Sequence, residues 1–297
     1  MNAYNKGNII EQLLREVMMK KWHRVPTFII VVVLIGIVVL AGLAETTGQA
    51  YAKGDVVVVA HRGASGLAPE NTIAAFDLAL ELRADYLELD VQMSRDGHLV
   101  VIHDPSVNRT TNGRGLVRDK LLHELQQLDA GGRFSKEYTG ERIPLLEEVL
   151  ERYWGRIGLL IELKEPSLYP GMVEKTLDMV GRLERSDESA KSDEMYAEQV
   201  IIQSFDRDAI RSIREQMPDM ATAVLIRSER KRMLAEDWEA LAAYADYVNP
   251  HQSLVTARFV ENAHAYNLKV IPWTVRKPSE ARRLIHAGVD GLITDYP

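Results

Sequence analysis

Residues 86–91 read YLELDV, and residues 158–164 read GLLIELK. In an extended strand successive side chains point to opposite faces, so Leu87, Leu89 and Val91 share one side and Glu88 and Asp90 the other. Glu162 and Lys164 repeat this spacing at the end of the second run. A strand with one apolar face, expected to meet helices, and paired charges near its C-terminal end is an unusual object. It suits a sheet whose interior carries chemistry at one rim.

Outward from these runs the chain keeps a rhythm. Further strands are predicted at 56–60 (VVVVA), 200–203 (VIIQ), 221–226 (ATAVLI), 246–249 (DYVN), 269–273 (KVIPW) and 289–293 (VDGLI). Helical patterns are predicted between most of them, at 71–83, 172–183, 207–216, 231–243, 257–266 and 278–286. Alternating β and α with near-continuous apolar strands predicts a parallel sheet covered by helices. Eight such strands in an α/β chain predict a (β/α)8 TIM barrel. A doubly wound open sheet is the alternative, but no Gly-rich phosphate fingerprint follows any strand.

Two features depart from the rhythm. Between Asp90 and Gly158 lies more chain than one βα unit needs, with a hairpin signal at Asp96-Gly97 and helical stretches near 120–128 and 145–153. An insertion of about 92–150 after the second strand is therefore expected at the C-terminal rim. The sequence also reaches Pro297 directly after the eighth strand. An apolar strip around Leu292 and Ile293 is expected to lack its usual helix cover.

The 297 residues include no cysteine, which excludes disulfides, thiolate metal sites and thiol nucleophiles. A net charge of −7 argues against a nucleic-acid partner. Residues 1–52 are net positive, however, and within them Val25 to Ala44 run for twenty residues without a charge. As a helix that run spans roughly 30 Å, a bilayer's hydrocarbon core. Lys20, Lys21 and Arg24 precede it, so residues 1–24 are expected in the cytoplasm, 25–44 as one transmembrane helix and 45–55 as a linker. The barrel, 56–297, would then be held at the cell membrane on its outer side. Ala50-Tyr51-Ala52 also resembles a signal-peptide cleavage site, and cleavage there would give a secreted domain.

The residues at strand ends define the candidate chemistry. His61 and Arg62 follow the first strand, Glu88 and Asp90 lie on the second, Glu162 and Lys164 end the third, Gln203 the fourth and Trp273 the seventh. Barrel enzymes keep their active sites on this face. Three inward carboxylates repel one another unless some protonate or a hard cation joins them, and oxygen-only ligation suits Mg²⁺ or Ca²⁺. Arg62 and Lys164 beside that cation suit a phosphate, and His61 and His103 have the ordinary pKa of acid–base groups. Competing structural readings exist: Glu88 and Asp90 as interior ion pairs, His61 as a strand cap, Asn71 as a helix N-cap, Glu70 as loop support. His251 follows the sixth strand within reach of the pocket but is not assigned to it. Asn108-Arg109-Thr110 matches a glycosylation sequon, a pattern common by chance.

AHRGASGLAPENTIAAF (60–76), DYLELDVQMSRDGHLVVIHDPSVNRTTNG (85–113), IELK (161–164), QSF (203–205), PWTV (272–275) and GVDGLITDYP (288–297) resemble the glycerophosphodiester phosphodiesterases. The resemblance runs from about residue 56 to the end and implies a TIM barrel with a small insertion after strand two. It implies that His61 and His103 are the acid–base pair and that Glu88, Asp90 and Glu162 bind Ca²⁺ or Mg²⁺. Arg62 and Lys164 would contact phosphate, and Gln203 and Trp273 the rest of the substrate. The implied reaction is hydrolysis of a glycerophosphodiester to glycerol 3-phosphate and an alcohol. Two other readings use the same barrel: a lysophospholipase D-like or teichoic-acid-type polymer hydrolase, and a ligand-binding barrel without turnover.

Overall fold

The computed structural model of the chain describes residues 56–186, 199–229 and 233–297. Residues 25–44, expected to span a membrane, lie outside the described residues, as do 1–24 and the linker 45–55. Among the described residues no helix is long and apolar enough to cross a membrane.

The chain alternates as its apolar runs dictate. In order the elements are β1 (Val57–Ala60), α1 (Ile73–Glu81), β2 (Tyr86–Met93), β3 (Leu99–Val101), α2 (Leu122–Gln126), α3 (Leu146–Tyr153), β4 (Gly158–Leu163) and α4 (Met172–Ser186). Then follow β5 (Val200–Ser204), α5 (Arg207–Gln216), β6 (Ala221–Ile226), α6 (Ala235–Ala242), β7 (Tyr247–Pro250), α7 (Ala257–His264), β8 (Lys269–Val270), α8 (Pro278–His286) and β9 (Gly291–Thr294). Eight strands pair in parallel in the order β8-β7-β6-β5-β4-β2-β1-β9. The circuit is completed by backbone bonds from Asp290 N–H to Val270 and from Val275 N–H to Ile293, at 3.0 and 2.8 Å. The eight-stranded parallel barrel read from the sequence is the architecture found.

Side-chain alternation builds two cores from the same strands. Val59, Leu160, Ile201, Ala223, Tyr247, Ile271 and Ile293 fill the barrel interior. Leu87, Leu89, Leu159, Ile161, Val224 and Leu292 face the helices. Ile293 therefore points inward and needs no helix, and Leu292 is buried among its outer neighbours. The strip expected to be bare at these two residues is not bare. Two residues further along the inward-facing rows, towards the strand C-termini, the apolar set gives way to polar residues. Leu160 is followed by Glu162, Ile201 by Gln203 and Tyr247 by Asn249. The apolar plug thus becomes the floor of a polar mouth.

The excursion after β2 is narrower than 92–150. β3 turns back antiparallel on β2, pairing Val101 with Val91, and Val100, Ile102, Val107, Val117 and Leu125 form a small core of their own. α3 behaves as an ordinary barrel helix: Tyr153 meets Phe76 of α1 edge-on at 5.9 Å and Arg152 pairs with Asp77 at 2.6 Å. The inserted part is 94–145, a boundary that amphipathic spacing alone does not mark.

Closure of the barrel leaves no room at Gly291. A Cβ there would lie 2.9 Å from the Val57 carbonyl oxygen and 3.2 Å from Ile271. Gly291→Ala is expected to destabilise the chain by about 1–3 kcal/mol through forced separation of β9 from β1. A denaturant or thermal melt reads this directly, and an unchanged midpoint would contradict it.

Candidate active site

The strand register brings the carboxylates together. Asp90 is level with Glu162, and Glu162 with Gln203, across β2, β4 and β5. One oxygen each from Glu88, Asp90 and Glu162 lies within 4.8 Å of the others, and all three residues are buried. Burial and the neighbouring charges of Asp90 and Glu162 push Glu88 well above the usual carboxylate range. Burial likewise pushes Glu162 up to about 7, against the pull of Lys164. Asp90 goes the other way: burial opposes its charge, but Lys164 and Arg62 hold it well below the ordinary value.

Asp90 takes part in interior ion pairs with Arg62 and Lys164, but these leave one of its oxygens without a hydrogen bond. Asp90 Oδ2 accepts from Asn71 Nδ2 at 2.8 Å, while Oδ1 is buried with no hydrogen-bond partner. The nearest cation to Oδ1 is Lys164 Nζ at 3.4 Å, which donates instead to Glu162 Oε1 at 2.7 Å. A buried carboxylate oxygen left without a hydrogen bond beside two further carboxylates is unfavourable unless something else joins them. Oxygen donors only, partly balanced by Arg62 and Lys164, fit a hard divalent cation. Glu88, Asp90 and Glu162 are the residues fitted to hold it.

The loop after β1 is built to deliver Arg62. Arg62 and Asn71 both adopt left-handed backbone, with φ of 56° and 57°. The Arg62 N–H donates to Glu88 Oε2 at 2.8 Å, its Nη1 to Glu70 Oε1 at 2.9 Å, and its Nε lies 3.2 Å from Asp90 Oδ2. Gly63 follows because a Cβ there would fall 2.6 Å from the Ala75 backbone. Asn71 is not the helix cap expected from sequence. Thr72 caps α1 through its hydroxyl, and the amide of Asn71 is used to aim Asp90.

Each histidine is backed by a carboxylate. His61 Nδ1 lies 2.6 Å from Asp295 Oδ1, and His103 Nδ1 lies 2.7 Å from Asp104 Oδ1. Because a carboxylate only accepts, the proton of each neutral ring sits on Nδ1 and the basic Nε2 is left for other contacts. Burial lowers both histidines below the ordinary value, with the Asp295 hydrogen bond partly offsetting it at His61 and the charge of Asp90 at His103. Hydrogen bonds from Arg109 and His103 hold Asp104 at about 2. Arg109 also grips Glu70 at 2.6 and 2.8 Å, so one guanidinium joins the carboxylates behind Arg62 and His103.

His61, Arg62, Glu88, His103, Glu162 and Lys164 open into one cavity of about 420 Å³, which also includes Gln203, Phe205, Arg227, His251, Trp273 and Arg276. Gln203 donates to Glu88 Oε1 at 3.3 Å and its amide meets that of Asn249 at 2.8 Å. Trp273 donates from Nε1 to the Asn249 carbonyl and stands edge-on to Phe205 and His251. The nine residues singled out by sequence therefore converge. His251, left unassigned, belongs to the wall; its strand-end position was the available signal. Arg227 and Asp295 carry the same strand-end signal and were missed, as were Asp104 and Arg109, which lie on the inserted segment, while Asn71 was read only as a helix cap.

Such a mouth, with an acidic cluster, two carboxylate-backed histidines and flanking cations on a parallel barrel, defines a phosphate-ester enzyme of the (β/α)8 class. The model of the glycerophosphoryl diester phosphodiesterase family matches residues 61–297. A glycerophosphodiester phosphodiesterase of Caldanaerobacter subterraneus subsp. tengcongensis is 42% identical over 244 residues, 81% of this chain and 94% of that protein. One from Bacillus subtilis is 33% identical over 288 residues, 94% of this chain and 97% of that one. Among solved structures, an Oleispira antarctica phosphodiesterase in complex with the product sn-glycerol-3-phosphate aligns with a TM-score of 0.70 at 31% identity, covering 81% of this chain and 93% of that one. The chain belongs to the glycerophosphoryl diester phosphodiesterase family.

The raised Glu162 makes stability of the metal-free protein pH-dependent. A carboxyl whose folded pKa, about 7, exceeds its ordinary 4.5 holds its proton more tightly when folded. Its contribution is fully present below about 4.5 and is lost as pH rises through 7, roughly 3 kcal/mol at the upper limit. In chelator, the melting temperature should fall between pH 5 and 8, and less so in Glu162→Gln. Added Ca²⁺ or Mg²⁺ at pH 8 should reverse the fall. Parallel melting curves for the two proteins would refute the assignment.

Proposed function

We propose that this protein hydrolyses glycerophosphodiesters to glycerol 3-phosphate and an alcohol, using Ca²⁺ or Mg²⁺ held by Glu88, Asp90 and Glu162. The observation that carries this reading is the buried Oδ1 of Asp90, without a hydrogen bond among two further carboxylates, with both Asp-backed histidines lining the same mouth. The family membership and the product named for the Oleispira antarctica relative support the substrate class.

The chain's own residues divide the work. Arg62 and Lys164 present guanidinium and ammonium groups to the phosphoryl oxygens, where charge builds in the transition state. A bound divalent cation would supply further Lewis-acid stabilisation of that charge. One histidine Nε2 takes the proton of the attacking oxygen, and the other, protonated, returns one to the departing alkoxide. Asp295 and Asp104 fix the ring orientation and stabilise each imidazolium as it forms. Trp273 and Phe205 offer apolar edges to the carbon face of the substrate, and Gln203 offers an amide.

Chelation should abolish turnover of glycerophosphodiesters, and Ca²⁺ or Mg²⁺ should restore it. His61→Ala and His103→Ala should each lower kcat by about 10²–10⁴-fold with the fold retained. Full activity of a metal-free preparation, or of either histidine variant, would overturn the proposal.

The location is proposed from sequence alone. Residues 25–44 anchor the chain in the cell membrane with the barrel outside, supported by the charge-free run and the basic residues before it. Protease added to intact cells should remove the barrel; digestion only after lysis would reverse the orientation. A soluble product starting near Lys53 would show cleavage after Ala52.

A further inference from the structure

Two cavities diverge from the carboxylate cluster. The first runs along the aromatic wall, and a second of about 510 Å³ opens past Pro105, Ser167 and Leu168. They share His103, Glu162, Lys164, Phe205 and Arg227. A phosphodiester carries two ester arms on one phosphorus, so on the reading proposed above each arm has its own channel.

Arg227 stands where the channels meet, directly after β6. Its guanidinium carbon lies 3.9 Å from the centre of the Phe205 ring, and Trp273 buttresses that ring edge-on at 5.7 Å. The other strongly basic side chains lining the first cavity are each held by carboxylates: Arg62 by Glu70 and Asp90, Lys164 by Glu162 and Asp90, Arg276 by Asp295. Arg227 forms no ion pair with any described residue. A guanidinium held over an aromatic face by a cation–π contact is pre-positioned while its N–H groups remain available to an anion.

The charges around it give a direction. In the first cavity the carboxylates are Glu88 and Glu162 of the cation cluster, and beyond them the wall carries Arg227 and Arg276. The second cavity adds Glu165 and Asp206, which oppose a negative group there, although Asp206 Oδ1 is engaged in capping α5. We propose that Arg227 binds a second anionic group, a carboxylate or a phosphate, on the substrate arm that lies along the aromatic wall. Preferred substrates are then glycerophosphodiesters with a negative charge beyond the scissile phosphate.

The test uses the full chain with Ca²⁺ and two uncleavable phosphinate analogues that join glycerol to glycolate or to glycolamide, a pair of equal shape differing by one charge. Calorimetry should show the glycolate compound binding about fivefold to tenfold more tightly, with the preference shrinking at high salt. Arg227→Gln should bring the ratio to about one and Arg227→Lys should keep part of it. Equal affinities in the unaltered protein, or an unchanged ratio in Arg227→Gln, would overturn the proposal. Failure to hydrolyse the parent diesters would instead overturn the proposed reaction, while the binding ratio would still report on Arg227.

Discussion

Three carboxylates buried at one level of a closed barrel set the terms for everything near them. Glu88, Asp90 and Glu162 cannot all stay ionised in an apolar surrounding without partners. The chain supplies Arg62, Lys164 and the Asn71 amide, and this set divides the trio unequally. Asp90 is kept charged, whereas Glu88 and Glu162 are left raised. The three residues fitted to hold a divalent cation therefore sit on the paired strands β2 and β4 rather than on a loop.

Around that centre the rim is a connected frame of ion pairs. Arg109 links Glu70 to Asp104, Glu70 holds Arg62, and Asp104 holds His103. On the opposite side Asp295 joins His61, Ser65 and Arg276. The insertion after β2 contributes His103, Asp104 and Arg109 to this frame and rests on its own apolar core. It is therefore tied into the rim by ion pairs as well as by its own packing. Local displacement of the insertion would shift His103 and Arg62 together, because the Arg109 guanidinium restrains the carboxylates that hold both.

Much of the site was legible because a strand repeats every two residues. That period places Glu88 with Asp90 and Glu162 with Lys164 without any knowledge of neighbours, and the C-terminal strand ends locate Gln203 and Trp273. The pairings of the supporting groups carry no such mark. Asp295 reaches His61 across 234 residues, and Arg109 reaches Glu70 across 39. Asn71 looked like a helix cap because Asn, Thr and Asp are equivalent in that role; the left-handed φ of Asn71 is what turns its amide to Asp90 instead.

Hydrophobic periodicity, strand count and the order of the charged strand ends were determined by the sequence itself, since each depends only on near neighbours along the chain. The tertiary structure alone decided which carboxylate stays ionised, which proton each histidine carries, where the insertion ends and which cation is left unpaired. It also decided that Ile293 faces inward, which removed the expected bare strip. Those outcomes depend on distances of 2.6–3.4 Å between residues far apart in sequence, and only the closing of the barrel brings them within that range.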